Sequence, residues 1–595
     1  MTWSQAFKTL QEALNDNENL AAGDVVFVAQ GTYTPSTSGD RNESFELAHE
    51  VTVLGGHGGL TENDPNERDI VAFETILSGD LNDDDGPGEF EDYSDNSIHV
   101  VVARSEDSSE LHEMGELDGC TIRGGYADGS GDDGRGAGIF IGGDDGGDEA
   151  SPVIKNCTIK ENYAGGLGGG GGGAVLSHVQ SEDPSAPEIR ECLIQGNRTD
   201  GHGGGILSEH SDPKILACTP DARFEWGIVE NEADDAKFGG GIAIVGVGAA
   251  IIVNCLIDGN EAGGGGGLGV EGPSDPAEST PLVVNCRITN NRSSLVGAGM
   301  LVEKATSSVL NATIVGNATE GDGGGYAEDN HGGAGPSTIV NSIIWGNEAD
   351  GDGDQVYAKN FLGSGDPFLH ISYSDVPNGE DDISDDDGMI IYDESNVQEN
   401  PMFLDADNGY YQLCFDSPIR DLGTNVSLQN DDFDIDDDGV TEEEATPDLD
   451  EVFRVIDGNG DASCDVDMGA YEYSCPDFDD NGCVDFDSIL GWLDTFGDEG
   501  DCVHDLNHDG VVDFFDLLPI LSLWGPCPCV DEQACGALQE DIDCMGLTAR
   551  DWSDFVSNAE DENYQCWIDH YWYCHCLETC VGAPSCPGSD PFGGH

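Results

Sequence analysis

Basic side chains are scarce in this chain of 595 residues, which has 20 lysines and arginines against 120 aspartates and glutamates. Its formal charge at pH 7 is therefore -100. A field of that sign repels nucleic acid, anionic membranes and polyuronate backbones, because each of these is itself negatively charged. The composition therefore disfavours such partners and favours cations, so we expect bound calcium, a saline habitat, or both to screen the repulsion.

Long hydrophobic runs are also lacking, and no apolar stretch reaches the ~18 residues that suggest a membrane-spanning helix. The chain opens on an amphipathic helical pattern, with Trp3, Phe7, Leu10 and Leu14 on one face and no apolar leader before it. We expect that an export leader has been lost. The N-terminal helix is predicted to cover the open end of the repeat described next.

A seven-residue motif recurs eight times in the middle of the chain, in forms such as NCTIKEN, ECLIQGN and NSIIWGN. Successive copies lie roughly thirty residues apart, a spacing typical of solenoid repeats. We take as its reference positions Cys120, Cys157, Cys192, Trp226, Cys255, Cys286, Ala312 and Ser342. Two residues further on, every copy has an isoleucine: Ile122, Ile159, Ile194, Ile228, Ile257, Ile288, Ile314 and Ile344. Because strand side chains alternate with period two, both positions are predicted to point inward.

A second strand signal follows most copies after a glycine-rich turn, for example GGGILS ending at Ser208 and GAGMLV ending at Val302. Short strands at a fixed period, without helical patterns between them, predict an all-β parallel solenoid. The crossover rule makes it right-handed. The fold class is therefore a right-handed parallel β-helix with an N-terminal capping helix.

The residue that ends the first strand of most repeats is an asparagine: Asn162, Asn197, Asn231, Asn260, Asn291, Asn317 or Asn347. We interpret these as a structural asparagine ladder, whose amide side chains tolerate a left-handed bend and bond to the coils above and below. The stacked cysteines are predicted to be buried free thiols, with disulfides between adjacent coils as the alternative.

The chain resembles large bacterial surface β-helix proteins related to the pectate-lyase-like superfamily and to polymorphic outer-membrane proteins. The resemblance covers roughly residues 1–473. It depends on TILSGDLNDDDG from Thr75 and VTVLGGHGGLTENDPNERD from Val51 near the start, and on NPMFLDADNGYYQL from Asn400 and DVDMGAYEY from Asp465 near the end. It implies the β-helix fold and a surface location, but no particular activity.

Two segments beyond this region, DFDDNGCVDFDS from Asp477 and DLNHDGVVDFFD from Asp505, look like the paired calcium loops of a type I dockerin. Oxygen ligands at alternate loop positions, with a glycine at the sharp turn, are what calcium requires. The predicted ligands of the second loop are Asp505, Asn507, Asp509, Val511, Asp513 and Asp516. Those of the first are Asp477, Asp479, Asn481, Cys483 and Asp485, where Ser488 replaces the last carboxylate and weakens the site. In dockerins such segments bind cohesin modules.

A further acidic loop at Asp434, Asp436 and Asp438 matches the same pattern less specifically, and DLNDDDG from Asp80 matches it more weakly still. The C-terminal tail is rich in cysteine, and 12 of the 20 cysteines lie between Cys475 and Cys586. That density favours disulfides, an oxidising compartment and export to the cell surface or medium. Zinc binding in the tail is the less favoured interpretation, because the spacing matches no familiar finger or ribbon.

These features divide the chain into an N-terminal cap and first coils (1–118), repeats and closing coils (119–473), a small α-helical, dockerin-like calcium module (474–529) and a cysteine-rich tail (530–595). No arginine or aspartate pattern identifies a catalytic site. We therefore expect an extracellular calcium-binding protein with a structural, adhesive or glycan-binding role. The alternatives are a polysaccharide lyase or glycoside hydrolase, and a calcium-bridged, self-assembling surface-layer or filament subunit. Neither nucleic acid nor a membrane span is expected.

Chelation of calcium should lower the melting temperature of residues 475–529 far more than that of the solenoid, because an ion that binds only folded protein stabilises the part that holds it. Differential scanning calorimetry with and without chelator measures both transitions. Equal losses in the two parts would contradict the placement of the calcium loops.

Overall fold

The computed structural model describes residues 3–15, 20–86, 90–104, 113–142, 150–166, 171–178, 184–219, 227–273, 279–329, 336–359, 368–378, 382–385, 389–435, 445–450, 452–456 and 464–475, with scattered positions from 483 to 527. They form two compact units. The first comprises residues 1–399, 427–451 and 468–470, and the second comprises 400–426, 452–467 and 471–595.

Four parallel sheets build the first unit, and they are numbered here in the order in which each coil visits them. The described part of sheet 1 has the strands Val25–Ala29, Thr52–His57, Glu113–Asp118, Ser151–Lys155, Glu188–Arg190, Lys214–Leu216, Ile251–Val253, Leu282–Val284, Ser308–Leu310, Ser337–Val340, Leu369–Ser372 and Ile390–Tyr392. Sheet 2 has Gly31–Tyr33, Thr75–Ser78, Thr121–Arg123, Thr158–Lys160, Leu193–Gln195, Gly227–Val229, Leu256–Asp258, Arg287–Thr289, Thr313–Val315 and Ile343–Trp345.

Sheets 3 and 4 complete each coil. The described strands of sheet 3 are Tyr126–Ala127, Tyr163–Ala164, Arg198–Thr199, Glu232–Ala233, Glu261–Gly264, Arg292–Val296, Ala318–Thr319 and Glu348–Ala349. Those of sheet 4 are Phe45–Glu46, Val101–Ala103, Ile139–Gly142, Val175–His178, Ile206–Glu209, Ile242–Val245, Leu268–Glu271, Met300–Glu303, Tyr326–Asp329, Val356–Lys359 and Ile383–Asp385. The sequence pattern predicted sheets 2 and 4 but missed sheets 1 and 3.

Helices are few and short among the described residues. One α-helix spans Leu10–Leu14, and Leu10 and Leu14 are buried in the solenoid core. The helix is shorter than predicted, because Phe7 lies before it and is 42% exposed. The described 3₁₀ turns are Trp3–Gln5, Gly59–Thr61, Tyr93–Asp95, Gly131–Gly134, Ala406–Asn408 and Asn425–Ser427. No helix among the described residues is long and apolar enough to cross a membrane.

The interior of the solenoid is a set of in-register apolar stacks. The isoleucines from Ile122 to Ile344 pair rung by rung along sheet 2, as predicted, and each is fully buried. Sheet 1 contributes a parallel stack that includes Leu117, Ile154 and Ile189. Burying each such side chain contributes about 1.5–3 kcal/mol, so the repeated stacks supply the main driving force for coiling.

The predicted free thiols are confirmed, but in one coil a different residue from the predicted one occupies the reference position. The buried free cysteines are Cys120, Cys157, Cys192, Cys218, Cys255 and Cys286. Cys218, rather than Trp226, occupies the reference position of its coil, because the amide of Leu256 in the next coil bonds to its carbonyl. In the sequence, residues 219–226 separate Cys218 from the strand Gly227–Val229, whereas the strand Leu256–Asp258 begins directly after Cys255. Burial raises the pKa of Cys192 and Cys255, which keeps both protonated.

The asparagine ladder is also confirmed. Each side-chain amide donates to the side-chain oxygen of the next coil, as in Asn231 to Asn260 and Asn260 to Asn291, both at 3.0 Å. Gln355 accepts from Asn347 at 2.9 Å and ends the ladder. The predicted left-handed bend lies one residue earlier, for example at Glu161 (φ 55°) and Asn290 (φ 55°). The ladder asparagines are therefore placed for hydrogen bonding and do not themselves form the bend.

An unpredicted segment covers the outside of sheet 1. Residues 427–451 belong to the first unit, and Ile435 packs on the outward-facing Leu216, Val253 and Val284. Asn254 fixes the segment by donating to the carbonyl of Asp448 at 2.7 Å. The outer face of this sheet is therefore a second, smaller apolar layer.

The second unit has two antiparallel pairs among its described residues. Phe403–Asp405 pairs with Tyr410–Leu413, and Cys483–Val484 pairs with Gly525–Pro526. A disulfide joins Cys475 to Cys527 across the latter region. The closed loop restricts the unfolded chain, a constraint typically worth about 2–4 kcal/mol.

Replacing Asn260 with leucine should lower the free energy of unfolding by roughly 3 kcal/mol or more. Asn260 donates to the carbonyl of Ile228 at 2.8 Å and accepts from the amides of Asn231, so the change leaves buried polar groups unsatisfied. Denaturant unfolding measures the loss. Gln195→Leu, at a more exposed amide, is the control, and equal effects would contradict a structural ladder.

Glu328 should make the solenoid less stable as pH rises. It is buried inside the coil with hydroxyls of Tyr326 and Ser337 bonded to it, and burial raises its pKa from 4.5 to about 8. Folded protein therefore keeps a proton that unfolded protein releases, and stability falls by about 1.4 kcal/mol per pH unit between these values. Glu328→Gln should remove this slope. Identical pH profiles of unfolding for both proteins would refute the assignment.

Candidate functional site on the outer face of sheet 4

The outward face of sheet 4 has an apolar floor. Phe140, Leu176, Leu207 and Ala243 occupy the same outward position in successive coils and form a cluster buried from solvent. Side chains on the outside of a solenoid are usually solvated, but here the ring of His99 and the guanidinium of Arg104 each lie 5.0 Å from the ring of Phe140 and help to bury it. The floor gives a fixed base for the polar side chains around it.

Two rows of stacked residues, most of them polar, border this floor. Arg135, Gly171 and His202 stack in successive coils at the turn before the sheet. His178 and Glu209 stack at the end of their strands, on the other side of the floor. Glycine at position 171 contributes no side chain between Arg135 and His202, and Leu207 occupies the space next to it.

Glu209 joins the two rows. Its Oε2 accepts from the guanidinium of Arg135 and lies 2.7 Å from Nδ1 of His178. Burial opposes ionisation of Glu209, but the hydrogen bonds and charges of His178 and Arg135 outweigh it and lower its pKa to about 2. Glu209 is therefore a fixed carboxylate at neutral pH, and it orients both partners.

His202 is held in its neutral form. Its pKa falls to about 4, chiefly because burial disfavours the charged ring and because Lys237 and Arg135 repel a proton. The backbone amide of Phe238 donates to Nδ1 at 3.2 Å, and the two rings lie 5.4 Å apart. Nδ1 is therefore the acceptor and Nε2 carries the hydrogen. The group formed by Arg135, His178, His202 and Glu209 is named the sheet 4 cluster.

The predicted calcium ligands are mostly outside the described residues. This applies to Asp436, Asp438, Asp477, Asp479, Asn481, Asp485, Asp505, Asn507, Asp509, Val511, Asp513 and Asp516. Cys483 lies in a short strand, and Ser488 is buried. Asp434 belongs to the segment over sheet 1, where its carbonyl accepts from Arg190 at 3.1 Å.

Another group of carboxylates lies buried in the second unit, where Asp421, Asp467 and Glu472 approach one another closely. Burial raises the pKa of Asp467 to about 6, against the opposing effects of backbone amides and of Arg454 and Arg420. Arg454 is itself fully buried and lies 3.6 Å from Glu472. The basic side chains make this group an internal ion network.

Comparison with known proteins agrees with the parallel sheets and stacked coils. A family model described as "Right handed beta helix region" matches residues 105–361, somewhat under half of the chain. The matched region is a right-handed parallel β-helix. The matched β-helix region includes the whole sheet 4 cluster. Among curated proteins, none matches this chain.

One similar solved structure is the A-module of a mannuronan C-5 epimerase from Azotobacter vinelandii. It is 15% identical, and the alignment covers 66% of this chain and 94% of that chain with a TM-score of 0.32.

Sequence reasoning missed the sheet 4 cluster. Sequence patterns single out neither Arg135 nor His202. Its members come from three coils, and the sequence motif that defined the repeats lies on a different sheet. The usable signal was the scarcity of basic residues, which makes any local group of arginine, lysine and histidine unusual in this chain.

Proposed function

We propose that this protein is exported and stays at the cell surface or in the extracellular matrix, where it binds glycan chains along the outer face of sheet 4. The observation that carries the proposal is the sheet 4 cluster, a preorganised group of donors and acceptors in a chain with a charge of -100. Stacked coils repeat the same outward positions along an axis, which suits an extended, repeating ligand.

The chemistry of the cluster matches sugar recognition. Arg135 presents a planar fork of donors, Glu209 is an acceptor, and neutral His202 offers the hydrogen on Nε2 as a donor, because Nδ1 already accepts from Phe238. Sugar hydroxyls need such mixed partners. The overall negative field opposes polyanions, so neutral glycans, or glycans with few carboxylates that Arg135 can neutralise, are the favoured class.

Glycan binding should depend on Arg135 and His178. We expect His178→Ala and Arg135→Lys each to weaken the binding of any glycan that the native protein binds by at least about tenfold, which corresponds to ~1.4 kcal/mol. The alanine removes the imidazole, and the lysine lacks the planar fork of donors. Calorimetry against neutral, uronate-containing and sulfated glycans measures the affinities, and circular dichroism checks the fold.

The matched control is Arg198→Ala, which breaks an exposed ion pair of 3.2 Å with Glu232 on sheet 3. It should leave affinity unchanged. Equal losses from the control and the cluster variants, or full affinity in all of them, would sink the proposed binding face.

A second candidate function is polysaccharide cleavage by a lyase. It is favoured by the 2.7 Å contact between Glu209 and Nδ1 of His178, because a carboxylate that orients an imidazole is a common arrangement for a general base. Arg135 would neutralise the sugar carboxylate while His178 removes the neighbouring proton. Formation of an unsaturated uronate product by the native protein, lost in His178→Ala, would establish cleavage, and its absence across uronate-containing glycans would leave binding alone.

We also propose that the dockerin-like segment holds calcium and attaches the protein to a cohesin-like partner or to further copies. Ile489 and Trp492 follow the first loop with helical backbone, and both are buried, which supports an apolar helix face at this point. The calorimetric comparison with chelator described above tests this calcium assignment.

A further inference from the structure

The segment from Asp80 to Asn96 leaves sheet 2 after the strand Thr75–Ser78 and is fastened to later coils. The hydroxyl of Tyr93 donates to the carbonyl of Glu161 at 3.1 Å, and the ring of Phe90 lies 5.2 Å from that of Tyr163. Tyr126 stacks next to Tyr163 at 5.5 Å. These aromatic contacts fix residues 90–96 against sheet 3.

Three carboxylates meet at the start of this segment. One oxygen from each of Asp80, Asp84 and Asp85 lies within 4.8 Å of the others. Ligands that share one calcium ion sit about 2.3–2.6 Å from it, so oxygens of this spacing can contact a common ion. Asp80 also accepts from the backbone amides of Asn82 and Asp84, both at 3.2 Å, which holds the turn in place.

A buried amide points into the same group. Asn96 has no exposed surface, and its Nδ2 lies 3.0 and 3.2 Å from the two oxygens of Asp85 and 2.8 Å from the carbonyl of Gly124. Its Oδ1 is buried without a hydrogen-bond partner. A buried acceptor left unsatisfied costs about 1–3 kcal/mol, and a cation next to Asp85 would satisfy it.

The charged groups around Asp84 and Asp85 also favour a bound cation. The main charge effects on both Asp84 and Asp85 come from Asp80 and Asp95, which are acidic. Asp92 adds to the effect on Asp84, and Asp84 adds to the effect on Asp85. Burial and these neighbours raise the pKa of Asp85 to about 6. By contrast, the buried carboxylates of the second unit have Arg454 beside them.

We propose that Asp80, Asp84, Asp85 and Oδ1 of Asn96 bind one calcium ion. All four donors are hard oxygens, the set that calcium prefers, and no thiol or imidazole that would select a transition metal is among them. The ion joins the turn after Ser78 to Asn96, whose amide bonds to Gly124 in the next coil. This site lies in the β-helix, separate from the dockerin-like loops.

The number of bound calcium ions per full-length chain tests the site. Asp84→Asn combined with Asp85→Asn should bind one ion fewer than the native protein, as measured by equilibrium dialysis and atomic emission. The matched control, Glu320→Gln with Asp350→Asn, removes the same charge from exposed positions of the solenoid and should bind the native number. The dockerin-like loops are intact in every variant, so the difference isolates this site.

Asn96 supplies a second comparison. Asn96→Asp keeps an oxygen ligand and should retain the ion, whereas Asn96→Leu should lose it, with circular dichroism confirming that both are folded. An unchanged ion count in the double aspartate variant would overturn the proposal. Equal loss in that variant and in the charge-matched control would also overturn it, because calcium would then respond only to net charge.

Discussion

The structure depends on one constraint, which is that every coil must place its strands in register with the coil before it. Parallel pairing gives each interior strand backbone partners on both sides, so a one-residue slip would turn its inward side chains outward. The continuous isoleucine stack from Ile122 to Ile344 shows how strictly the register is kept. Identical side chains then meet at the same depth in every coil.

This repetition allows polar groups to be buried inside a narrow core. An isolated buried asparagine is costly, but one in every coil finds a partner above and below, and Gln355 closes the series. The buried cysteines fill the equivalent inner position as small apolar groups. Glu328 lacks such repetition, and its carboxyl depends on local hydroxyls of Tyr326 and Ser337.

The two outer features of the β-helix differ in their electrostatics. The sheet 4 cluster pairs Glu209 with Arg135 and His178, so its carboxylate has basic partners within the protein. The turn at Asp80, Asp84 and Asp85 has acidic neighbours instead, and leaves its negative charge for a bound cation. In a chain with so few basic residues, the distribution of those residues decides which carboxylates are paired internally.

The sequence by itself determined the coil, because burial at period two within a repeated motif is a local property of neighbouring residues. It also predicted the free thiols and the asparagine ladder. Only the tertiary structure decided that Cys218, and not Trp226, occupies the reference position of its coil. The additional residues after Cys218 interrupt the repeat, so the sequence alone does not show which residue is in register. The same holds for the sheet 4 cluster and for Asn96, whose partners lie one or more coils away and are adjacent only after the chain has wound upon itself.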